Sequence, residues 1–242
     1  MVRIIGHRGA SDDAPENTIS SIKEAFTQGA DGIEVDVRLT KDKRVICLHD
    51  KNTLRTTGLS LDVKNSDYEE IKELDAGSWK ATNWTNERIP LLEKVLEEMP
   101  LNKEIFIEVK TGLEIVDPLI SLILNSKIKQ KNISIISFND QVIKEIKLCL
   151  PDATSNLLIA FDPPYNEKDL TQLLKKIGAD GVGVQNHPKL TNSFIKKIKN
   201  INKDVHVWTV DKADEAKKYS LLGLSSITTN KPKLIKDYLS AS

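Results

Sequence analysis

The sequence predicts an α/β chain in which a parallel sheet is closed by helices, as a (β/α)8 barrel with a small insertion after the third strand. Three observations carry this. Short apolar strand-like runs alternate with amphipathic helical stripes through one chain, the pattern of parallel strands covered by helices. The length, 242 residues, suits one barrel of about 250 residues. Ionisable residues end several different strand candidates, as expected at the C-terminal face of a barrel. An open doubly wound sheet is the rival architecture. Against it, Gly6-His7-Arg8-Gly9 lacks the third glycine that opens the helix of a dinucleotide-binding turn.

Residues 2–8 read as the first strand, which runs straight into His7 and Arg8. The helix after it carries Ile19, Ile22, Ala25 and Phe26 on one stripe, and Gly29 supplies a left-handed stop. In the second strand, 30–38, Ile33, Val35 and Val37 alternate with Glu34, Asp36 and Arg38, so the two carboxylates share a face. A Lys41-Asp42-Lys43 turn, too short for a helix, leads to the third strand at 45–50. Residues 51–89 are polar and turn-rich, with Trp79 and Trp84 as their bulky aromatic pair. They read as an inserted cap within a single 1–242 domain, because a structureless loop of that length would be unusual.

Pro90 is expected at the first position of a helix that turns Leu91, Leu92, Val95, Leu96 and Met99 inward. Strand candidates at 104–109, 132–137, 156–160, 181–184, 205–210 and 226–229 then alternate with helical stripes. Two such stripes are Leu170, Leu173, Leu174 and Ile177 before Gly178, and Phe194, Ile195, Ile198 and Ile201. Nine strand candidates for an eight-stranded barrel mean that one is spurious or lies outside it.

Composition narrows the partners. With 35 basic and 35 acidic side chains the formal net charge is zero, which argues against a nucleic-acid groove. Cys47 and Cys149 sit far apart within apolar runs and read as two buried thiols, with no disulfide framework. There is no secretory h-region and no run approaching about 18 apolar residues, so a cytoplasmic protein without stable membrane insertion is expected.

Glu34, Asp36 and Glu108 offer three hard-oxygen donors from two strands, a set suited to Mg²⁺ or Ca²⁺. Burying such a cluster without a cation would cost several kcal/mol in repulsion and desolvation. His7 and His49 each end a strand candidate and could serve a phosphodiester hydrolase as general acid and base. His187 and His206 are weaker candidates for touching substrate. Arg8 and Lys110 place positive charge where a phosphate would need it. Phe138 and Trp208, at strand ends, could wall the pocket or pack the core.

These residues fall in an ordered set that covers nearly the whole chain. It comprises Gly6-His7-Arg8-Gly9, Pro15-Glu16-Asn17-Thr18, Glu34-Val35-Asp36, His49-Asp50, Arg55-Thr56-Thr57, Ile89-Pro90-Leu91-Leu92, Glu108-Val109-Lys110, Ser137-Phe138 and Trp208-Thr209-Val210. In this the chain resembles the glycerophosphodiester phosphodiesterase family. The resemblance implies a TIM barrel that hydrolyses small glycerophosphodiesters to glycerol 3-phosphate and an alcohol. It implies a divalent metal on Glu34, Asp36 and Glu108, acid/base roles for His7 and His49, and phosphate contacts from Arg8 and Lys110. A related phospholipase-type enzyme acting on lysolipids or on inositol or sphingolipid head groups is the alternative. Near the C-terminus the chain departs from the family pattern. Where that pattern reads Trp-Thr-Val-Asn, then Asp-Gly, then Thr-Asp-x-Pro, this chain has Asp211, Ser225-Ser226 and Thr229-Asn230-Lys231-Pro232.

Overall fold

The computed structural model describes residues 2–161 and 167–241. Nine strands form the sheet: β1 Arg3–Gly6, β2 Gly32–Leu39, β3 Val45–Cys47, β4 Glu104–Val109, β5 Ile133–Ser137, β6 Thr154–Ile159, β7 Gly181–Gln185, β8 Asp204–Trp208 and β9 Ser226–Thr229. The order runs β1-β9-β8-β7-β6-β5-β4-β2-β3, and β1 also pairs with β2. That extra pairing closes eight parallel strands into a TIM barrel. Helices Ile19–Thr27, Leu92–Glu98, Val116–Asn125, Asp140–Cys149, Glu167–Lys176, Asn192–Lys199, Ala213–Leu221 and Pro232–Ser240 surround it.

The strand outside the barrel is β3. It pairs antiparallel to β2, with Val37 opposite Cys47 and Leu39 opposite Val45. The insertion at 51–89 therefore follows the third strand of the chain, β3, but lies between the second and third strands of the barrel, β2 and β4. Antiparallel pairing sends the chain back along β2, so the Leu48 amide donates to the Asp36 carbonyl at 3.0 Å. His49 is delivered beside the carboxylates by that reversal.

Alternation along the strands separates packing from chemistry, as period-two geometry requires. On β2 and β4 the residues Ile33, Val35, Val37, Ile105, Ile107 and Val109 are buried against the surrounding helices. Their neighbours Glu34, Asp36, Phe106 and Glu108 take the opposite face, and register places Asp36 beside Glu108. Ile5, Phe106, Ile136 and Leu158 form a separate apolar cluster with Trp208 against it.

The 51–89 segment has more structure than its weak periodicity implies. It holds helices Leu54–Thr57 and Tyr68–Ile71 and single 3₁₀ turns at Val63–Asn65 and Thr82–Trp84. Val63, Ile71 and Ala76 pack with Ile46, Leu48 and Ile89 as a small core of their own. Lys80 reaches from this segment to the Ser11 carbonyl, 2.8 Å away.

Three sequence expectations need correction. Pro90 is not the first residue of its helix: the helix starts at Leu92, because the Pro90 carbonyl accepts from the Cys47 amide and Leu91 bridges to Ile46. Cys149 is exposed while Cys47 is buried, and both are free. Cys149 ends the helix Asp140–Cys149, whose buried stripe is Val142, Ile143 and Ile146. Ile201 lies beyond the helix that ends at Lys199.

Candidate active site

The site is built at the C-terminal ends of β1, β2 and β4 and on the chain that leaves β3. β1 stops at Gly6, so His7 and Arg8 lie in the turn after it. Arg8 is held at φ 54° and Gly9 at φ 84°. The left-handed conformation costs a residue with a Cβ of order 1 kcal/mol or more. A Cβ on Gly9 would stand 2.4 Å from the Ser21 carbonyl carbon, so only glycine lets the turn press against the helix that follows. Thr18 caps that helix by accepting from the Ser21 amide.

The three carboxylates converge. One ligand oxygen from each of Glu34, Asp36 and Glu108 lies within 4.8 Å of the others, and all three residues are buried. The Arg8 guanidinium stands 3.0 Å from Asp36 Oδ2 and donates to Glu16 at 2.9 Å. The Lys110 ammonium stands 3.1 Å from Asp36 Oδ1 and donates to Glu108. Asn17 grips Asp36 twice, its side-chain amide donating to Oδ2 and its carbonyl accepting from the Asp36 amide.

Burial works against the charge on Asp36, but Lys110 and then Arg8 override it and hold its carboxyl down at about 2. Glu108 goes the other way: burial and then Asp36 push it up to about 7. Glu34 is raised well above its ordinary value by burial, Asp36 and Glu108. Two cations are thus too few for three carboxylates. Glu34 Oε1 is moreover buried with no hydrogen-bond partner among the described residues, and Asp36 Oδ1, also buried without a hydrogen bond, has the Lys110 ammonium as its ion-pair partner. An orphaned hard-oxygen acceptor on Glu34 beside an excess of negative charge fits a divalent cation such as Mg²⁺ or Ca²⁺.

The histidines flank this cluster. His7 Nε2 is 4.0 Å from Glu34 Oε2, and its Nδ1 is 2.7 Å from Asn230 Oδ1. Burial, reinforced by Arg8, lowers His7 to about 4. His49 Nδ1 is 2.7 Å from Asp50 Oδ1, and its carbonyl accepts twice from the Arg38 guanidinium. Its pKa is also lowered, by burial first, although Asp36 and Asp50 pull it upward. Arg55, from the inserted segment, binds both Asp50 and Glu16 and so ties the His49 side of the site to the Arg8 side.

A cleft of about 620 Å³ runs past Glu108 and Lys110 to Phe138 and Asn139. Phe138 is half exposed and meets Trp208 edge-on at 5.7 Å. The Trp208 indole N–H is buried without a partner among the described residues, a donor free for a ligand. His206 takes the structural alternative. It is buried between Ser226 Oγ at 2.8 Å and Thr228 Oγ1 at 3.0 Å, with its ring 5.0 Å from Phe106. His187 packs on Phe161 at 5.2 Å, and its Nδ1 accepts from the Lys189 amide.

The seven residues given metal, acid/base or phosphate roles in the sequence thus meet at one mouth, and the two weaker candidates, His187 and His206, have other partners. Sequence reasoning missed the residues that hold them: Glu16, Asn17, Arg38, Asp211 and Asn230. The signal was partly visible, since Glu16 and Asn17 belong to the Pro-Glu-Asn-Thr motif, and Asp211 and Asn230 are two of the departures from the family pattern.

An eight-stranded barrel with this constellation at its C-terminal mouth defines a TIM-barrel hydrolase. The description of the glycerophosphoryl diester phosphodiesterase family matches residues 7–234, and the chain belongs to that family. A glycerophosphodiester phosphodiesterase of Caldanaerobacter subterraneus is 32% identical over 243 residues, covering 96% of this chain and 95% of that one. YhdW of Bacillus subtilis is 33% identical over 241 residues, covering 97% of each. A phosphodiesterase of Oleispira antarctica, solved with the product sn-glycerol-3-phosphate, superposes with a TM-score of 0.89 at 25% identity, covering 98% of this chain and 96% of that one. Family and structural likeness together support glycerophosphodiester hydrolysis.

Proposed function

We propose that this enzyme hydrolyses small glycerophosphodiesters to glycerol 3-phosphate and an alcohol, using a divalent cation, Mg²⁺ or Ca²⁺, and two histidines. The observation that carries the reading is the trio Glu34, Asp36 and Glu108, with the unpartnered Glu34 oxygen beside His7. A cation bound there would supply Lewis-acid stabilisation of charge on the phosphoryl group.

The protein's own residues do the rest. His7, neutral and with Nδ1 engaged by Asn230, takes on Nε2 the proton of the attacking oxygen as the new P–O bond forms; that oxygen is either water, which gives glycerol 3-phosphate directly, or the neighbouring glycerol hydroxyl, whose cyclic phosphate water then opens. His49, backed by the Asp50 carboxylate, gives a proton to the leaving alcohol oxygen as the old P–O bond breaks. Arg8 and Lys110, each already beside Asp36, absorb charge that develops on phosphorus oxygens. Phe138 and Trp208 wall the cleft, and the 51–89 segment acts as a cap within one 1–242 unit. No helix among the described residues is long and apolar enough to cross a membrane, and we place the enzyme in the cytoplasm.

A second reading, a phospholipase-type activity on lysolipids, is favoured by one observation: Leu54, Leu59 and Trp79 stand exposed on the cap, where acyl chains could meet them. The test is to incubate purified protein with glycerophosphocholine, glycerophosphoethanolamine and a long-chain lysolipid, each with Mg²⁺ or Ca²⁺. Glycerol 3-phosphate from the two small diesters is the expected result. Strong preference for the lysolipid would transfer the assignment to the second reading.

A further inference from the structure

Asp211 and Asn230, which depart separately from the family pattern in the sequence, are two halves of one hydrogen-bonded pair. Asp211 Oδ1 is pinned by two donors, the Asn230 backbone amide at 2.8 Å and the Thr229 hydroxyl at 3.0 Å. Asp211 Oδ2 faces the Asn230 side chain at 2.6 Å. A carboxylate only accepts, so the Asn230 atom turned toward it must be the NH₂ group. The Asn230 carbonyl oxygen is then turned to His7 Nδ1 at 2.7 Å, with the Ser11 hydroxyl donating to the same oxygen at 2.7 Å. An amide oxygen also only accepts, so His7 must carry its hydrogen on Nδ1 and present a lone pair on Nε2. The His7 backbone cannot drift from this arrangement, because its amide donates to the Thr229 carbonyl at 2.8 Å.

We infer that Asp211 and Asn230 are positioning residues that fix the tautomer of His7, Asp211 acting through the orientation of the Asn230 amide. The inference rests on the hydrolase reading only for its effect on turnover; the tautomer itself does not depend on it. One substitution should invert the relay. In Asp211→Asn the backbone amide of residue 230 still demands an acceptor at Oδ1, so the new NH₂ falls at the Oδ2 position, facing the NH₂ of Asn230. Asn230 relieves the clash by rotating end for end, which turns its NH₂ toward His7 Nδ1. His7 must then accept there and move its hydrogen to Nε2, where it blocks proton abstraction. The reciprocal double change D211N/N230D restores the polarity, with the carboxylate accepting from both His7 Nδ1 and the residue 211 amide.

The test reads the tautomer directly, by long-range ¹H–¹⁵N correlation spectra of the ¹⁵N-histidine-labelled enzyme at pH 7.5 in Mg²⁺ buffer. His7 should show a protonated Nδ1 and an unprotonated Nε2 in the parent, the reverse in Asp211→Asn, and the parent pattern again in the double variant. The signals of His206, held by Ser226 and Thr228, report that each variant is folded. Turnover of glycerophosphocholine should fall about 10²- to 10⁴-fold in Asp211→Asn, the range expected when a catalytic imidazole is in the wrong tautomer. KM should change little, and the double variant should recover most of the loss. An Nε2–H form in the parent, or a folded Asp211→Asn whose His7 keeps the parent pattern, overturns the relay. If the tautomers behave as described and no diester yields glycerol 3-phosphate, the relay stands and the hydrolase reading falls.

Discussion

Replacing Glu108 with Gln isolates the electrostatic cost of the carboxylate cluster. Burial and then Asp36 raise Glu108 from an ordinary 4.5 to about 7, so in the metal-free protein it keeps its proton over a range where the unfolded chain has lost it. The folded state then binds the extra proton, and stability falls as pH rises through that range. At about 1.4 kcal/mol per pH unit the loss from Glu108 reaches about 3 kcal/mol by the time pH passes 7. The whole stability curve does not show this directly. His7 at about 4 and His206 at about 3 are held neutral inside; they bind fewer protons folded than unfolded, and stability contributed by them rises with pH toward 6.5. Subtracting the variant from the parent removes that common background. In EDTA, Glu108→Gln should therefore gain about 3 kcal/mol on the parent between pH 4.5 and 7.5, or about 6 to 12 °C in Tm for a chain of this size. Circular-dichroism melts across that range measure it. With saturating Mg²⁺ or Ca²⁺ the order should reverse, because the ionised carboxylate then holds the cation and bound cation stabilises the folded state. A parent-minus-variant difference that is flat with pH, and unmoved by cation, would refute the reasoning.

Other outcomes follow from the same site. EDTA should abolish hydrolysis and Mg²⁺ or Ca²⁺ restore it, with apparent cation affinity, followed by calorimetry, rising with pH as Glu34 and Glu108 give up their protons. The proposed mechanism makes the rate bell-shaped in pH: it needs His7 neutral, which puts the acid limb toward its lowered value of about 4, and His49 protonated. Since the bound phosphodiester anion favours protonated His49, the alkaline limb of kcat should lie at higher pH than that of kcat/KM. A thiol reagent should modify one cysteine, exposed Cys149, in the native protein and both after unfolding, because Cys47 is buried and burial raises its pKa.

The barrel was legible because each strand announces itself in one dimension. Ile33-Glu34-Val35-Asp36-Val37 and Ile105-Phe106-Ile107-Glu108-Val109 alternate with period two, and the structure buries the aliphatic set while register sets Asp36 beside Glu108. Which of the nine strands lies outside the barrel was not legible, since β3, Val45-Ile46-Cys47, reads like a barrel strand. Only its antiparallel pairing with β2 sets it outside. That reversal also explains how His49 reaches the carboxylates from a strand that is not part of the barrel. Cys149 misled for a similar reason: an apolar run shows that a helix is half buried, and a single residue at its end can still face solvent. Side chains that hold the site by long-range hydrogen bonds leave no periodicity at all. Asn230 meets His7 across most of the chain, and Arg55 joins Glu16 to Asp50, pairings that no local pattern encodes.

The division of labour between the two histidines is tested most directly by changing the leaving group. His7→Ala and His49→Ala should each lose about 10²- to 10⁴-fold in turnover of glycerophosphocholine, the usual worth of a general acid or base. A nitrophenyl diester of glycerol phosphate has a leaving group that needs no proton. On it, His49→Ala should recover toward the parent rate while His7→Ala stays impaired. Near-parent turnover of glycerophosphocholine by both variants, or rescue of His7→Ala in place of His49→Ala, would contradict the account.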